Sequence, residues 1–261
     1  MLAFDVDNTL TPPREEAPPE ICAALCALRD PFVLIAGSNY DLVLHQLLNP
    51  LRLAGFVGQV DTWAASGTER WTVTVASYAT MQRRRSAFSL DEHVGGDPYP
   101  VWQALRAVIV ADPPGVPLTD EMILTRIGSY NLCPIGRPFE CGSKEIARRR
   151  QFIIFDRETH YRRRVLGTLR TAMEPFGLAV TLGGETSFDV TAPGHDKAGA
   201  VLALLDEGAG HVTFVGDALY ADGNDAVVQW LADGDSRVTA IATHDWRETL
   251  EWLQQSGRLA A

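Results

Sequence analysis

Apolar and polar positions along the chain fall into blocks. Met1–Phe4 is a short apolar run that ends in an acidic, turn-forming stretch, DVDNTLTPP. This pattern predicts a buried strand delivering Asp5 and Asp7 at its C-terminal end. Pro18–Leu28 reads as a helix with ICAALCAL as its apolar body, and Phe32–Ala36 as a second buried strand. That strand stops at Gly37-Ser38-Asn39, and a helix is expected over Asp41–Leu48. The same rhythm returns late: strand His211–Val215 ending in Gly216-Asp217, helix Ala226–Leu231, strand Val238–Ala242 and closing helix Arg247–Leu253. Alternating strand and helix with continuous apolar strands predicts an α/β fold, a doubly wound parallel sheet buried on both faces.

The middle of the chain breaks the rhythm. Thr72–Val75 alternates as an antiparallel strand would, and Ile123–Ile127, Gln151–Phe155 and Leu178–Leu182 are further strand candidates. Val101–Val110 and Glu158–Glu174 look helical, while Ser86–Pro100 and Ala111–Pro117 are rich in Gly, Pro and Asp and read as loops. The expected organisation is a core over 1–79 and 193–261 with an α+β insertion over 80–192.

Composition narrows the function classes. Of 261 residues, 46% are hydrophobic, enough for a real core, and the formal charge is −10. That charge argues against nucleic acid or an anionic membrane as the main partner, since both reward clustered cations. No apolar stretch is long enough to span a bilayer, and MLAFDVDNTL lacks the basic start of a signal peptide. The cysteines, Cys22, Cys26, Cys133 and Cys141, form no CxxC pair and suit a reducing, cytoplasmic setting. Only Lys144 and Lys197 are lysines; the other basic residues are arginines, including triplets at Arg83–Arg85, Arg148–Arg150 and Arg162–Arg164. Each triplet taken alone reads as a solvated face.

Four segments carry candidate chemistry, each at or after the C-terminal end of an expected core strand, where open parallel sheets bind ligands. In Asp5-Val6-Asp7-Asn8-Thr9, one carboxylate can attack phosphorus and a second, two residues on, can serve as general acid or base. Alone, the stretch reads equally as a turn. Ser38, with backbone N–H groups at a helix start, suits a phosphoryl oxygen, or is an ordinary cap. Lys197, after Asp196, can neutralise a nucleophile and a transferring group. Asp217, with Asn224 and Asp225, can complete an oxygen-only site of the kind magnesium prefers. No GxGxxG follows the first strand, which excludes a dinucleotide enzyme of the usual kind.

The joint order of these segments resembles the haloacid dehalogenase superfamily of phosphotransferases. Within it, FDVDNTLTPPR, AGSNYDLVLHQL, CPIGR, GGETSFDV with GHDK, and GDALYADGND resemble the eukaryotic-type phosphomannomutases. The resemblance implies Asp5 as nucleophile, Asp7 as acid/base, and magnesium held by Asp5, the Asp7 carbonyl and Asp217. It also implies a cap whose closure excludes water, with Arg14, Arg126, Arg137 and, more weakly aligned, Arg149 gripping the far phosphate. Ser187 and Asp189 would hold sugar hydroxyls and phosphate. The implied activity is interconversion of mannose 6-phosphate and mannose 1-phosphate through an aspartyl phosphate, with a hexose 1,6-bisphosphate as activator. The alternative is a sugar-phosphate phosphatase releasing inorganic phosphate from the same Asp5. A small phosphosugar substrate and a cap-mediated homodimer follow from the same likeness. Two departures stand out: Asn8 occupies a usual Gly position, and Ala65-Ser66-Gly67 replaces a usual Glu-Asn-Gly.

Overall fold

The computed structural model describes residues 1–136 and 143–260, with the side chains of 143–146 outside the description. Its strands, in chain order, are β1 (Leu2–Phe4), β2 (Phe32–Ile35), β3 (Gly58–Ala64), β4 (Glu69–Val75), β5 (Thr80–Ala87), β6 (Ile123–Arg126), β7 (Ser129–Leu132), β8 (Ala179–Gly183), β9 (Ser187–Thr191), β10 (Val212–Gly216) and β11 (Val238–Ala242). They fall into two compact units. The first is Met1–Phe88 with Gly194–Ala221 and Asp225–Ala261; the second is Ser89–Pro193 with Asp222–Asn224.

The first unit is built on a seven-stranded sheet of order β11-β10-β1-β2-β3-β4-β5, parallel from β11 to β3 and antiparallel beyond. Its faces follow from strand parity. Leu2, Phe4 and Leu34 pack into one apolar cluster with Ile21, Val43 and Leu253 from the helices on that side. Ala3, Val33 and Ile35 point the other way, against Val201 and Leu204 of helix Lys197–Asp206 and Val228 of helix Ala226–Gly234. Successive side chains alternate across a strand, so a residue two beyond Ala3 inherits its face. That residue is Asp5, and its face is the one covered by the helix that begins at Lys197.

The second unit is a four-stranded antiparallel sheet of order β6-β7-β9-β8. Helix Tyr161–Met173 packs on β8 and on helix Tyr99–Ala111. Among the described residues, no helix is long and apolar enough to cross a membrane.

A short helix, Leu90–His93, lies within the stretch expected as a loop, strands β3, β7 and β9 were not expected, and three further elements differ from the sequence expectation. Thr80–Ala87 is a strand of the first sheet, paired along β4, so the division falls after Phe88 and Arg83–Arg85 lie outside the insertion. As an edge strand exposed along most of its length, β5 needs no apolar face, and its arginines hide it. Gln151–Phe155 is the body of helix Ser143–Thr159, in which Phe152 is buried and Ile154 exposed; five apolar-rich residues cannot separate strand from helix. The helix expected over Glu158–Glu174 breaks at His160, whose φ is 52°.

Candidate active site

The loops after β1, β10 and β2 share one edge of the first sheet. The backbone N–H of Asp5 donates to Val215 O at 2.9 Å, tying the first of these loops to β10. Lys197 starts its helix behind Asp196, whose carboxylate accepts from Gly199 N at 3.0 Å as an N-cap. From there the Lys197 Nζ donates to Asp5 Oδ1 at 2.8 Å and to Asp225 Oδ1 at 2.5 Å, and Lys197 is 1% exposed. Asp225 Oδ2 accepts from Ala218 N at 3.1 Å. Gly216 is needed beside it, because any Cβ there would run into that carboxylate.

Asp5, Asp217 and Asp225 each bring a carboxylate oxygen within 4.8 Å of the others. Three carboxylates against one ammonium leave two negative charges unbalanced in a buried pocket. The consequences follow directly. Burial pushes the Asp5 carboxyl well above the usual carboxylate range; Lys197 opposes this, while Asp225 and Asp217 add to it. Burial, then Asp225, raises Asp217 to about 7, with Lys197 and Asn8 opposing. Burial works against the Lys197 charge, but Asp225 and Asp5 outweigh it and hold the ammonium protonated. A site of hard oxygen donors short of positive charge fits a divalent cation such as magnesium.

Asp7 is set apart from this cluster. Its Oδ1 accepts from Arg14 N at 2.8 Å and from Gln46 Nε2 at 2.8 Å, so the carboxylate is held by that oxygen. Gln46 is fully buried in the π-helical turn Leu44–Leu48, which turns its amide toward Asp7, Thr11 and Glu15. Asn8 has φ 65°, a region that Asn tolerates better than most residues, and its amide donates to Asp217 Oδ2 at 3.0 Å. The side chain therefore does something a glycine could not. Ser38 is buried after β2, and its hydroxyl has no hydrogen-bond partner. Its carbonyl accepts from Ala65 N at 2.6 Å.

The second unit holds a buried polar cluster of its own. Asn131 on β7 lies directly opposite Asp189 on β9. Its Nδ2 donates to Asp189 Oδ1 at 2.7 Å and to Ser187 Oγ at 3.0 Å. Ser187 Oγ in turn donates to Gly183 O at 2.7 Å. Asn224 Nδ2 reaches Asp189 Oδ2 at 3.2 Å, and an Arg126 Nη1 lies 3.9 Å from Asp189 Oδ1. Arg149 donates to Thr186 Oγ1 at 3.2 Å and to Glu185 Oε2 at 3.0 Å.

The structure thus brings Asp5, Lys197, Asp217 and Asp225 together in the first unit, with Asp7 and Ser38 on loops at the same sheet edge. Arg126, Ser187 and Asp189 meet in the second. Asn224, expected near the metal, sits in the second unit with its amide on Asp189. Arg14 contributes its backbone N–H to Asp7. Arg137 lies outside the described residues. Gln46 and Asn131 were not singled out from sequence. The available signal for Gln46 was one amide inside the apolar run LVLHQLL; Asn131 offered none without strand register.

Comparison with known proteins adds the family. A sequence model described as eukaryotic phosphomannomutase matches residues 114–245. The phosphomannomutase of Arabidopsis thaliana is 29% identical over 225 residues, covering 85% of this chain and 83% of that protein. Phosphomannomutase 1 of Mus musculus is 29% identical over 231 residues, covering 85% and 80%. Among solved structures, an N-terminally truncated, IMP-bound Plasmodium falciparum IMP-nucleotidase aligns with TM-score 0.64 at 13% identity, over 97% of this chain and 66% of that one, so this chain spans about two thirds of its length. A trehalose-6-phosphate phosphatase related protein aligns with TM-score 0.50 at 15% identity, over 98% and 96%. These structural likenesses carry the fold alone.

Proposed function

We propose that this chain, which belongs to the eukaryotic phosphomannomutase family, is a phosphohexomutase that interconverts mannose 6-phosphate and mannose 1-phosphate through a phosphorylated Asp5. The observation that carries the reading is the buried Asp5–Lys197–Asp225 array with Asp217 beside it.

The free hydroxyl of a hexose monophosphate loses its proton to Asp7 and attacks the phosphorus of phosphorylated Asp5, and the bond from phosphorus to the Asp5 carboxylate breaks. The resulting bisphosphate turns, the restored Asp5 carboxylate attacks its other phosphorus, and the bond from that phosphorus to the sugar oxygen breaks as Asp7 returns the proton to the departing oxygen. Lys197 keeps the attacking carboxylate in place and offsets charge on the transferring group. Ser38, with a hydroxyl free to donate, is assigned to a phosphoryl oxygen. Asp5, Asp217 and Asp225 are the side chains that would hold magnesium, with the Asp7 carbonyl added by family likeness; when bound, the ion would supply the missing positive charge and polarise the phosphoryl oxygens. Arg126, Ser187, Asp189 and Arg149 are assigned to the phosphosugar, with Arg14 and Arg137 assigned by family likeness alone. A homodimer through the second unit and a cytoplasmic location belong to the same proposal.

Phosphorus NMR tests this reading, using the purified protein with magnesium and mannose 1-phosphate, with and without a trace of glucose 1,6-bisphosphate. Conversion to the 6-phosphate that depends on the bisphosphate is the expected result. Steady release of inorganic phosphate without isomerisation would make the enzyme a phosphatase instead.

A further inference from the structure

The turn after β3 is Ala65-Ser66-Gly67, with φ of 50°, 63° and 89°. Three consecutive left-handed residues, two of them with a Cβ, are an unfavourable choice for a simple strand end. Their contacts explain what the turn is for. Ala65 N donates to Ser38 O at 2.6 Å and Ser66 N to Ala36 O at 2.9 Å, so the turn fixes the loop that carries Ser38. On its other side the turn touches the start of the Lys197 helix. A Cβ on Gly67 would lie 2.5 Å from Asp196 O, 2.8 Å from Asp196 C and 3.1 Å from Lys197 N. Those obstacles are backbone, which cannot swing away as a flexible side chain could. The turn is itself braced, with Thr68 Oγ1 donating to Ala65 O at 2.7 Å.

We propose that Gly67, at the centre of this contact, is a positioning residue for phosphoryl transfer: it lets the turn seat Lys197 and, through Ala65, Ser38 at one fixed separation. The inference rests on the function proposed above. Lys197 is buried and makes two ion pairs from the first position of its helix. A shift of the Asp196–Lys197 backbone therefore moves the ammonium relative to Asp5. Displacements on the order of 1 Å at such a site cost about a hundredfold in rate.

The test is a double-mutant cycle on the rate at which the holoenzyme, with magnesium, transfers phosphate from glucose 1,6-bisphosphate to Asp5, read by quench and intact mass. Gly67→Ala is expected to lower that rate roughly tenfold to a hundredfold with KM little changed. In a Lys197→Ala background the same substitution should cost markedly less, because much of its effect passes through Lys197. Gly55→Ala is the control: its φ is 96° but nothing lies within 4 Å of its added Cβ. It should lose stability without losing rate. If Gly67→Ala does not fold, Ala65→Gly serves, since it relaxes a left-handed residue and adds no atoms. A lower rate in a protein that still folds supports the proposal, and an unchanged rate overturns it. Equal losses from Gly67→Ala with and without Lys197 would also overturn it. Full activity in Lys197→Ala alone would instead sink the proposed function, so the two failures are distinguishable.

Discussion

The two polar centres of this molecule are built in opposite ways. In the first unit, the site residues come from loops at one sheet edge, and each brings a charge that its neighbours must answer. Asp5, Asp217 and Asp225 share one ammonium, and burial, with the neighbouring carboxylates adding to it, raises the Asp5 and Asp217 carboxyls. In the second unit, Asp189 is answered mainly by amides, Asn131 across the strand pair and Asn224 from the loop, with Arg126 at 3.9 Å. The first arrangement stores an electrostatic demand that a cation and a phosphoryl group can meet. The second is largely satisfied already and is suited to holding hydroxyls in place. On the proposed function, reactivity belongs with the unbalanced centre and recognition with the balanced one.

The largest expected effect removes the nucleophile. Asp5→Asn should cut turnover by about a thousandfold or more with a native circular dichroism spectrum retained; turnover near wild type would end the assignment. Lys197→Ala leaves the carboxylates of Asp5 and Asp225 buried without their cation. We expect a stability loss of about 3–5 kcal/mol in metal-free protein, from urea titration, and a partial recovery with magnesium. In the second unit, Asn131→Ala strips a donor from both Asp189 and Ser187. A stability loss of about 1–3 kcal/mol is expected, with KM for the phosphosugar rising and the Asp5 phosphorylation rate at saturation little changed. A pure loss of maximal rate would contradict the division between the two centres.

The pH dependence follows from the same imbalance. Asp217 titrates near 7 when folded, against an ordinary value of 3.8. An acid whose folded pKa is raised keeps a proton that the unfolded chain has already released. Metal-free protein should therefore lose stability as pH rises from about 4 to about 7, with Asp5 acting in the same direction. Magnesium should flatten that slope in a thermal melt, and an identical slope with and without the ion would count against it. The smallest effect lies far from both centres. Arg84→Ala breaks an exposed pair with Glu69 at 3.4 Å on the edge strand and should change stability by less than about 1 kcal/mol and activity not at all.

The difference between the centres also decides what could be read from sequence. Asp5, Ser38 and Asp217 each follow an apolar strand visible as a continuous apolar run, and Lys197 opens a helix directly behind its N-cap Asp196. Linear order therefore pointed to residues that the structure gathers at one sheet edge. Asn131 matters because strand register sets it opposite Asp189, and a polar residue in SYNL carries no mark of that pairing. Asn224 stands one residue before Asp225, yet its amide turns to a different unit, which no spacing rule conveys. The same holds for β5, whose arginines read as a solvated face until its pairing with β4 is seen.

The most direct test of the account is to locate the phosphate. Wild-type protein and Asp5→Asn would be incubated with magnesium and glucose 1,6-bisphosphate, quenched in acid, and mapped by peptide mass spectrometry after borohydride reduction of the acyl phosphate. The account predicts reduction at Asp5 in the wild type alone. Phosphate on another side chain, or none on a protein that nevertheless turns over, would contradict it.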